Sequence, residues 1–393
     1  MKISDIYIGG WFQRTMLQLS EIYDFLRGEK TVLKLSEKKL DAFRDRLEIA
    51  SIEYGISGEE YILLSSNAGV PVKIFEDGLI VLHSRDASPE TLLSDVEKLQ
   101  SYYETRLSPA FSYLFSLGAP VPKELANIKN VYPYFIILDN AAHDDMVSLL
   151  ESTDRKKYFE FKTDKYDVVR GDKFYFINRK SNSIAQIERY IEEQIFIREF
   201  KGQLHRYLNI HRILWEKIDE VKAHKRVRGS EIIEFATKLE AYAKTINLID
   251  GRIKQMSTYL PTRERIAKED KGLTEFLEIS GYRYETLGDT LKYITFLWEM
   301  TKNYVENAQK QFDGLKADVT SKSVDSLTVV TSMSAGAAII GLLQSEVPEF
   351  TTSGLIYVAI LIVVGYSANK ILSLVSNKQK YDVTDVEYEK NIK

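Results

Sequence analysis

Residues 326–345 read SLTVVTSMSAGAAIIGLLQS and residues 350–369 read FTTSGLIYVAILIVVGYSAN, two charge-free stretches separated only by Glu346, Val347, Pro348 and Glu349. At about 1.5 Å of rise per helical residue, each reaches about 30 Å, the thickness of a bilayer's hydrocarbon core. They predict a membrane hairpin: a transmembrane helix at 326–345, a loop at 346–349, a second helix at 350–369 and a tail at 370–393. The second stretch is almost wholly aliphatic or aromatic from Leu355 to Val364. The first opens with Ser326, Thr328, Thr331, Ser332 and Ser334 and continues with Gly336, Ala337, Ala338 and Gly341, a composition suited to facing other helices or water. Lys310, Lys316 and Lys322 precede the hairpin, Lys370, Lys378 and Lys380 follow it, and the loop carries only carboxylates. The positive-inside rule then puts both termini in the cytoplasm of a multi-pass cell-membrane protein. A buried helical hairpin in a soluble protein is the competing reading, and span length and flanking charge speak against it.

Composition narrows the rest. A net charge of -4 over 393 residues argues against bulk nucleic-acid binding. The absence of cysteine removes disulfides, thiolate metal sites and cysteine nucleophiles. Met1 to Ile8 has too few apolar residues for a signal peptide, so the hairpin addresses the chain to the lipid bilayer. Nothing resembles a serine-histidine-acid triad, a Gly-x-Ser-x-Gly elbow or a His-Glu-x-x-His helix, and no enzyme and no cofactor are expected.

Residues 1–180 read as a mixed α/β domain, so the chain as a whole is α+β. Lys2 to Ile8 predicts a strand, and Trp11 to Leu26 and Glu37 to Ile49 predict helices. Strands follow at Glu59 to Leu64, Val70 to Phe75 and Leu79 to His83, then a helix from the Ser88-Pro89 cap toward Leu107. A fainter copy of the order comes next: strand Tyr132 to Leu138, helix Asp144 to Glu151, strand Tyr158 to Phe161, and a hairpin of Tyr166 to Val169 with Phe174 to Asn178. This suggests a duplicated unit.

Residues 181–271 read as long antiparallel helices, Ile184 to His224 and Ser230 to Leu260, joined by a basic turn and punctuated by Leu260-Pro261-Thr262. Residues 272–325 form a stalk helix. Along it Tyr284, Leu287, Leu291, Ile294, Trp298, Thr301, Val305, Ala308, Phe312, Leu315 and Val319 alternate spacings of three and four, a heptad seam for packing along partner helices. Two partners fit: identical stalks in a homo-oligomer, or the chain's own helices 184–224 and 230–260.

This order of elements resembles the CorA family of divalent-cation channels. Members of that family end the first span in Gly-Met-Asn and follow it with a Met-Pro-Glu-Leu element. Val347-Pro348-Glu349-Phe350 is similar to the second element, and Gly341-Leu342-Leu343 stands where the first belongs, with only the glycine kept. The resemblance covers roughly Ser183 to Lys380. It implies a homopentamer whose first spans line a pore, and magnesium (Mg2+) or another divalent cation as the transported or regulatory ion. Projecting the stalk seam forward gives Ser326, Val329, Met333, Gly336, Ile340 and Leu343 as pore-lining. A slightly wound alternative gives Asp325, Thr328, Ser332, Ala335, Ile339 and Leu342. In the family the asparagine presents amide oxygens to the hydrated ion. Leu343 has none, which puts magnesium selectivity in doubt and leaves Gly341, Gln344, Glu346, Pro348 and Glu349 as the pore mouth.

The function expected is an oligomeric ion channel gated through its cytoplasmic domain. Two alternatives stay open: a CorA-like membrane effector of CRISPR antiviral defence activated by a nucleotide ligand, and a non-conducting coiled-coil scaffold. Lys222, Lys225, Arg226 and Arg228 form a basic cluster that reads either as a solvated turn or as an anion contact. His143, Asp144 and Asp145 read as a helix start rather than a metal site, and His205, His211 and His224 as surface or interhelical contacts. Gly9-Gly10 reads as a tight turn. Asp382, Asp385, Glu387 and Glu389 read as a solvated tail.

Overall fold

The strand β1 (Lys2–Trp11) is buried at every position from Ile3 onward, which a strand achieves only when both faces of its sheet are covered. It has neighbours on both sides in the computed structural model, which describes residues 2–13, 17–29, 34–57, 59–115, 132–154, 156–163, 165–180, 184–274, 277–278 and 281–343; beyond these it describes 356, 359–360, 363–364, 366–367, 370–371, 374 and 378–383. The other strands are β2 (Ile49–Ser57), β3 (Glu59–Ser66), β4 (Pro71–Phe75), β5 (Leu79–Arg85), β6 (Tyr134–Asp139), β7 (Phe159–Lys162), β8 (Tyr166–Arg170) and β9 (Phe174–Arg179). They form one nine-stranded sheet in the order β2-β3-β4-β5-β1-β6-β9-β8-β7. Every pairing is antiparallel except that of β6 with β9.

One face of the sheet packs on short helices: α1 (Leu19–Arg27), α2 (Glu37–Leu47), α3 (Leu92–Tyr102), α4 (Ser108–Leu114) and α5 (His143–Thr153). Ile6 and Ile8 point into this layer beside Ile22, Leu99 and Phe111. A π-helical turn, Tyr103–Leu107, joins α3 to α4. Alternate residues of β1 point the other way, onto the long helices α6 (Ile184–Lys222) and α7 (Gly229–Glu269). There Trp11 sits among Phe196, Phe200 and Tyr259, and the Tyr7 hydroxyl donates to Glu188 at 2.6 Å. The last helix, α8 (Tyr282–Leu343), runs 62 residues.

The chain divides into two compact units, the first Met1–Ile210 with Leu248–Phe296, the second His211–Asn247 with Leu297–Lys393. Segments of α6, α7 and α8 occur in both. Among its described residues the second unit is mostly helical, with a small ribbon of β10 (Arg226–Arg228) and β11 (Lys380–Asp382). Its core includes Leu214, Ile218, Ile232, Leu239, Trp298, Val305 and Phe312.

Several expectations are corrected. Trp11 ends a strand instead of opening a helix; the helix there is only Leu19–Arg27. Ile52, Tyr54 and Ile56 lie in edge strand β2, a strand not among the expected elements. Gly9 and Gly10 are not a turn but lie inside β1, where a Cβ on Gly10 would collide with the Tyr103 hydroxyl and one on Gly9 with the Ile80 carbonyl. α7 continues through Pro261 to Glu269, held by buried Leu260, Arg263 and Ala267, whose packing outweighs the roughly 3 kcal/mol penalty of an internal proline. Asp382 is exposed as expected, but the strand β11 that carries it docks on β10 with Tyr381 and the following Val383 buried; Asp385, Glu387 and Glu389 lie outside the described residues.

The stalk seam is buried within the chain. Tyr284, Leu287, Leu291, Ile294, Trp298, Thr301, Val305, Ala308, Phe312 and Val319 are all covered, and Leu315 is half-buried. Within the second unit, Trp298 meets His211 edge-on and Phe312 meets Phe235. The chain's own helices thus account for the periodicity. Among the described residues no helix is long and apolar enough to cross a membrane. The loop 346–349 and most side chains of 326–345 and 350–369 fall outside the described residues.

Candidate functional site

Parallel pairing of β6 with β9 puts Phe135 opposite Tyr175, and antiparallel pairing of β9 with β8 puts Tyr175 opposite Arg170. The three side chains therefore form a row across one sheet face, with the Phe135 and Tyr175 rings 5.1 Å apart and the Arg170 guanidinium 5.9 Å from the Tyr175 ring. α6 crosses above this row. Helical spacing brings its Gln194, Ile197, Arg198, Lys201 and His205 onto one face. The first turns of α8 complete the enclosure with Tyr282, Arg283, Thr286, Leu287 and Thr290, and all these residues line a cavity of about 350 Å³ in the first unit.

The lining is one-signed. Arg170, Arg198, Lys201 and Arg283 are cationic, His205 lies in the same lining, and no carboxylate lines the cavity among the described residues. Arg198 has a structural assignment: it donates to the Gly9 carbonyl at 2.6 Å and to the Tyr132 carbonyl at 2.6 Å, and pairs with Glu199 at 3.0 Å. Arg283 donates to the Gln194 amide oxygen at 2.7 Å, a neutral partner that leaves its charge uncompensated. Gln194 is 5 % exposed, and its Nε2 has no partner among the described residues. Arg170 Nε is likewise unpaired. A buried donor without an acceptor costs about 1–3 kcal/mol, so these two N–H groups are the cavity's unmet demand.

Beside the cavity, one residue along both helices, lies a buried ionic cluster. Arg263 of α7 is 2 % exposed at its side chain and reaches Asp77 at 2.6 Å, Glu59 at 3.1 Å and Glu193 at 3.3 Å. The Tyr284 hydroxyl donates to the second oxygen of Glu193. Arg189 bridges Glu59 and Glu192 at 3.3 Å each, and Lys73 holds Glu192 at 2.7 Å. Burial pushes the Glu193 carboxyl up to about 7, against the opposing pull of Arg263 and of the Tyr284 hydrogen bond. Arg263 itself stays charged, its pKa raised well above the ordinary value by Asp77, Glu193 and Glu59 despite its burial. Both directions follow from one arrangement, a buried carboxyl raised by loss of solvent and a guanidinium whose charge is held by the acids around it.

The sequence-derived candidates fall elsewhere. Lys222 lies over the Tyr304 ring at 4.1 Å, and Tyr304 in turn stacks on Trp215 and donates to Asp219. Arg226 is paired with Asp382, while Lys225 and Arg228 occupy the β10 ribbon, where the Lys225 carbonyl accepts from Val383 N–H. That cluster is thus partly neutralised and helps to fasten the returning chain. Ser326, Val329, Met333, Gly336, Ile340 and Leu343 all lie in α8, as does Gly341, but of these only Gly336 has described surroundings, and it is half-buried. On the alternative face, Thr328, Ser332, Ala335 and Ile339 are exposed. Gln344, Glu346, Pro348 and Glu349 lie outside the described residues.

His143 lies 3.3 Å from Glu160, and no group of acids and histidines able to hold a metal occurs among the described residues. His211 lies between Trp215 and Trp298, and burial lowers its pKa. Sequence reading missed the cavity because its cations come from three distant segments. The signal that was present is the run Gln194, Arg198, Lys201, His205 on one helical face, mixed with nothing acidic. No family model matches the chain, and no curated protein matches it.

Proposed function

We propose that the chain is a CorA-like, homo-oligomeric membrane ion channel or transporter for divalent cations, opened from its cytoplasmic part through α8. The observation that carries this reading is where the chain returns. α8 leaves the Gln311 level and runs to Leu343, 32 residues further (343 - 311), about 48 Å at 1.5 Å per residue. Yet Val383 is back beside it, its carbonyl accepting from the Gln311 side chain, and β11 pairs with β10 immediately before. The 37 residues from Leu343 to Lys380 (380 - 343) must retrace that length. A hairpin built from the two uncharged stretches would cover that distance and leave both its ends on one side.

Two further features support it. Ile356, Ile360, Val363, Val364, Ile371 and Leu374 are exposed apolar residues in helical conformation, spaced as one broad stripe, the surface that lipid covers. One exposed face of α8 carries the hydroxyls of Thr328 and Ser332, which suit a wet path, between apolar Val324 and Ile339. The alternative of a defence effector shares this hairpin and differs in what opens it. Reconstitution into liposomes tests the proposal: ion flux from pure protein, in particles of more than two subunits, is the expected result. Flat traces for every cation tried, from well-incorporated protein, would leave the non-conducting scaffold as the reading.

A further inference from the structure

We propose that the cavity between the β6-β9-β8 face, α6 and the start of α8 is a binding site for a small phosphate-bearing molecule with a planar ring. The argument begins with charge. Three cations with no acidic partner at hand, Arg170, Lys201 and Arg283, converge with His205 on one enclosed space that has no carboxylate in its lining among the described residues. Like charges brought together repel, and a fold that keeps them so without a counter-acid gains when an anion enters. Elsewhere in the same unit the opposite solution is used, since Arg263 and Arg189 are surrounded by acids. The contrast marks the cavity.

Hydrogen bonding points to the same class. Among the described residues Gln194 Nε2 and Arg170 Nε are donors without acceptors, and Gln194 is nine-tenths buried and lines the space. An ionised phosphate group donates nothing and accepts through several oxygens, so it can satisfy several N–H groups together. The remaining lining mixes aliphatic Ile197 and Leu287 with three rings, Phe135 and Tyr175 at the floor, each 1 % exposed, and Tyr282, 64 % exposed, at the mouth. Tyr282 is the ring whose face is open to stack on a ligand. The cavity volume of about 350 Å³ falls within the range of small-molecule sites and is too small for a polymer. This inference does not rest on the channel reading and survives its failure.

Equilibrium dialysis of the full-length protein in detergent tests it, with AMP, pyrophosphate and inorganic phosphate as probes and adenosine as the uncharged control. Saturable AMP binding, displaced by pyrophosphate and weakened by salt, with adenosine at least about tenfold weaker, is expected. Lys201→Glu, an exposed change that leaves the fold intact, should weaken AMP about tenfold or more, as should Arg283→Gln, whereas Lys225→Glu in the other basic cluster should not. Thermal unfolding of each variant separates lost binding from lost structure. No binding of any probe up to roughly 10 mM, or binding indifferent to Lys201→Glu, overturns the proposal. So does binding confined to vesicles of anionic phospholipid, which would assign the cations to a lipid headgroup.

Discussion

Replacing Arg263 by methionine removes one charge from a cluster that cannot spare it. Asp77, Glu59 and Glu193 lose their common partner, with side chains only 14 %, 12 % and 9 % exposed. Each acid then has two courses. It stays ionised and unpaired, which for a broken buried pair costs about 3–5 kcal/mol, or it takes up a proton. Glu193, already lifted to about 7, is protonated at little expense, and Glu59 keeps Arg189 at 3.3 Å. The loss therefore concentrates on Asp77. Protonating an ordinary aspartyl group costs about 4 kcal/mol at pH 7 and about 1.5 kcal/mol at pH 5, at 1.36 kcal/mol per pH unit above its reference value. Arg263→Met should accordingly destabilise the first unit by about 4 kcal/mol at pH 7 and by less than half of that at pH 5. Trp11 reports it locally, because its indole N–H donates to the Asp77 carbonyl at 3.0 Å. Urea titrations followed by Trp11 fluorescence, in a Trp215→Phe, Trp298→Phe background, supply the free energies, with that background itself as reference. A loss below about 1 kcal/mol at pH 7, or one equal at both pH values, would refute the reasoning that Arg263 is the common partner of these acids and the sole guanidinium on Asp77 among the described residues.

The Glu193 carboxyl gives a pH signature of its own: its folded pKa is raised, so its contribution is fully present below the ordinary glutamate value and is lost as pH rises through about 7. Glu193→Gln should flatten the fall in stability between about pH 4.5 and 7, read from urea midpoints, and an unchanged slope would contradict the assignment. Gly10→Ala sets a Cβ against the Tyr103 hydroxyl and should cost about 1–3 kcal/mol in the same titration. The native chain has no cysteine, so single thiols can be placed cleanly. A charged thiol reagent added to liposomes should modify Ser332→Cys at least about tenfold faster than Ile360→Cys, and equal rates would deny a wet first span beside a lipid-facing second. On the proposed channel reading, Leu343→Asn would supply an amide at the position the CorA resemblance assigns to the pore mouth and should raise magnesium flux relative to potassium, as measured in liposomes.

What the sequence disclosed depended on the range of the forces involved. Strands β3, β4 and β5 were legible because alternation and the Glu76-Asp77-Gly78 turn are local. The α8 seam was legible because its period is carried by one helix, although period alone does not say who covers it; Trp298 and Phe312 are covered by His211 and Phe235 of the same unit. Pro261 misled because a local penalty was weighed without the burial of Leu260 and Ala267 that offsets it. β10 and β11 were invisible, each three residues long and joined across more than 150 positions of chain, as Arg226 is to Asp382. The cavity was hidden for the same reason. Arg170, Lys201 and Arg283 are unremarkable one at a time and acquire a meaning only when the parallel β6-β9 register and α8 bring them together.

The cavity and the ionic cluster are not independent, since they are two halves of one contact between α6 and α8. Consecutive residues of α6, Glu193 and Gln194, meet consecutive residues of α8, Tyr284 and Arg283: the first pair closes the cluster and the second lines the cavity. On a helix, neighbours in sequence point about 100° apart, so neither pair can shift without turning the other. An anion that draws Arg283 or Gln194 toward itself competes with the hydrogen bond between them and transfers the strain to Glu193 and Tyr284, whose geometry is fixed by Arg263. Because Arg263 is anchored to the sheet through Asp77 and Glu59, the sheet side is the stiff partner and the first turn of α8 the yielding one. Occupancy of the cavity should therefore be felt first in α8, the helix that continues to Leu343 without a break. The decisive measurement is the protonation of Glu193 with and without bound AMP. If the two halves are coupled, its titration moves with ligand, and if it stays fixed at saturating ligand, the α6–α8 contact is not the route by which the site acts.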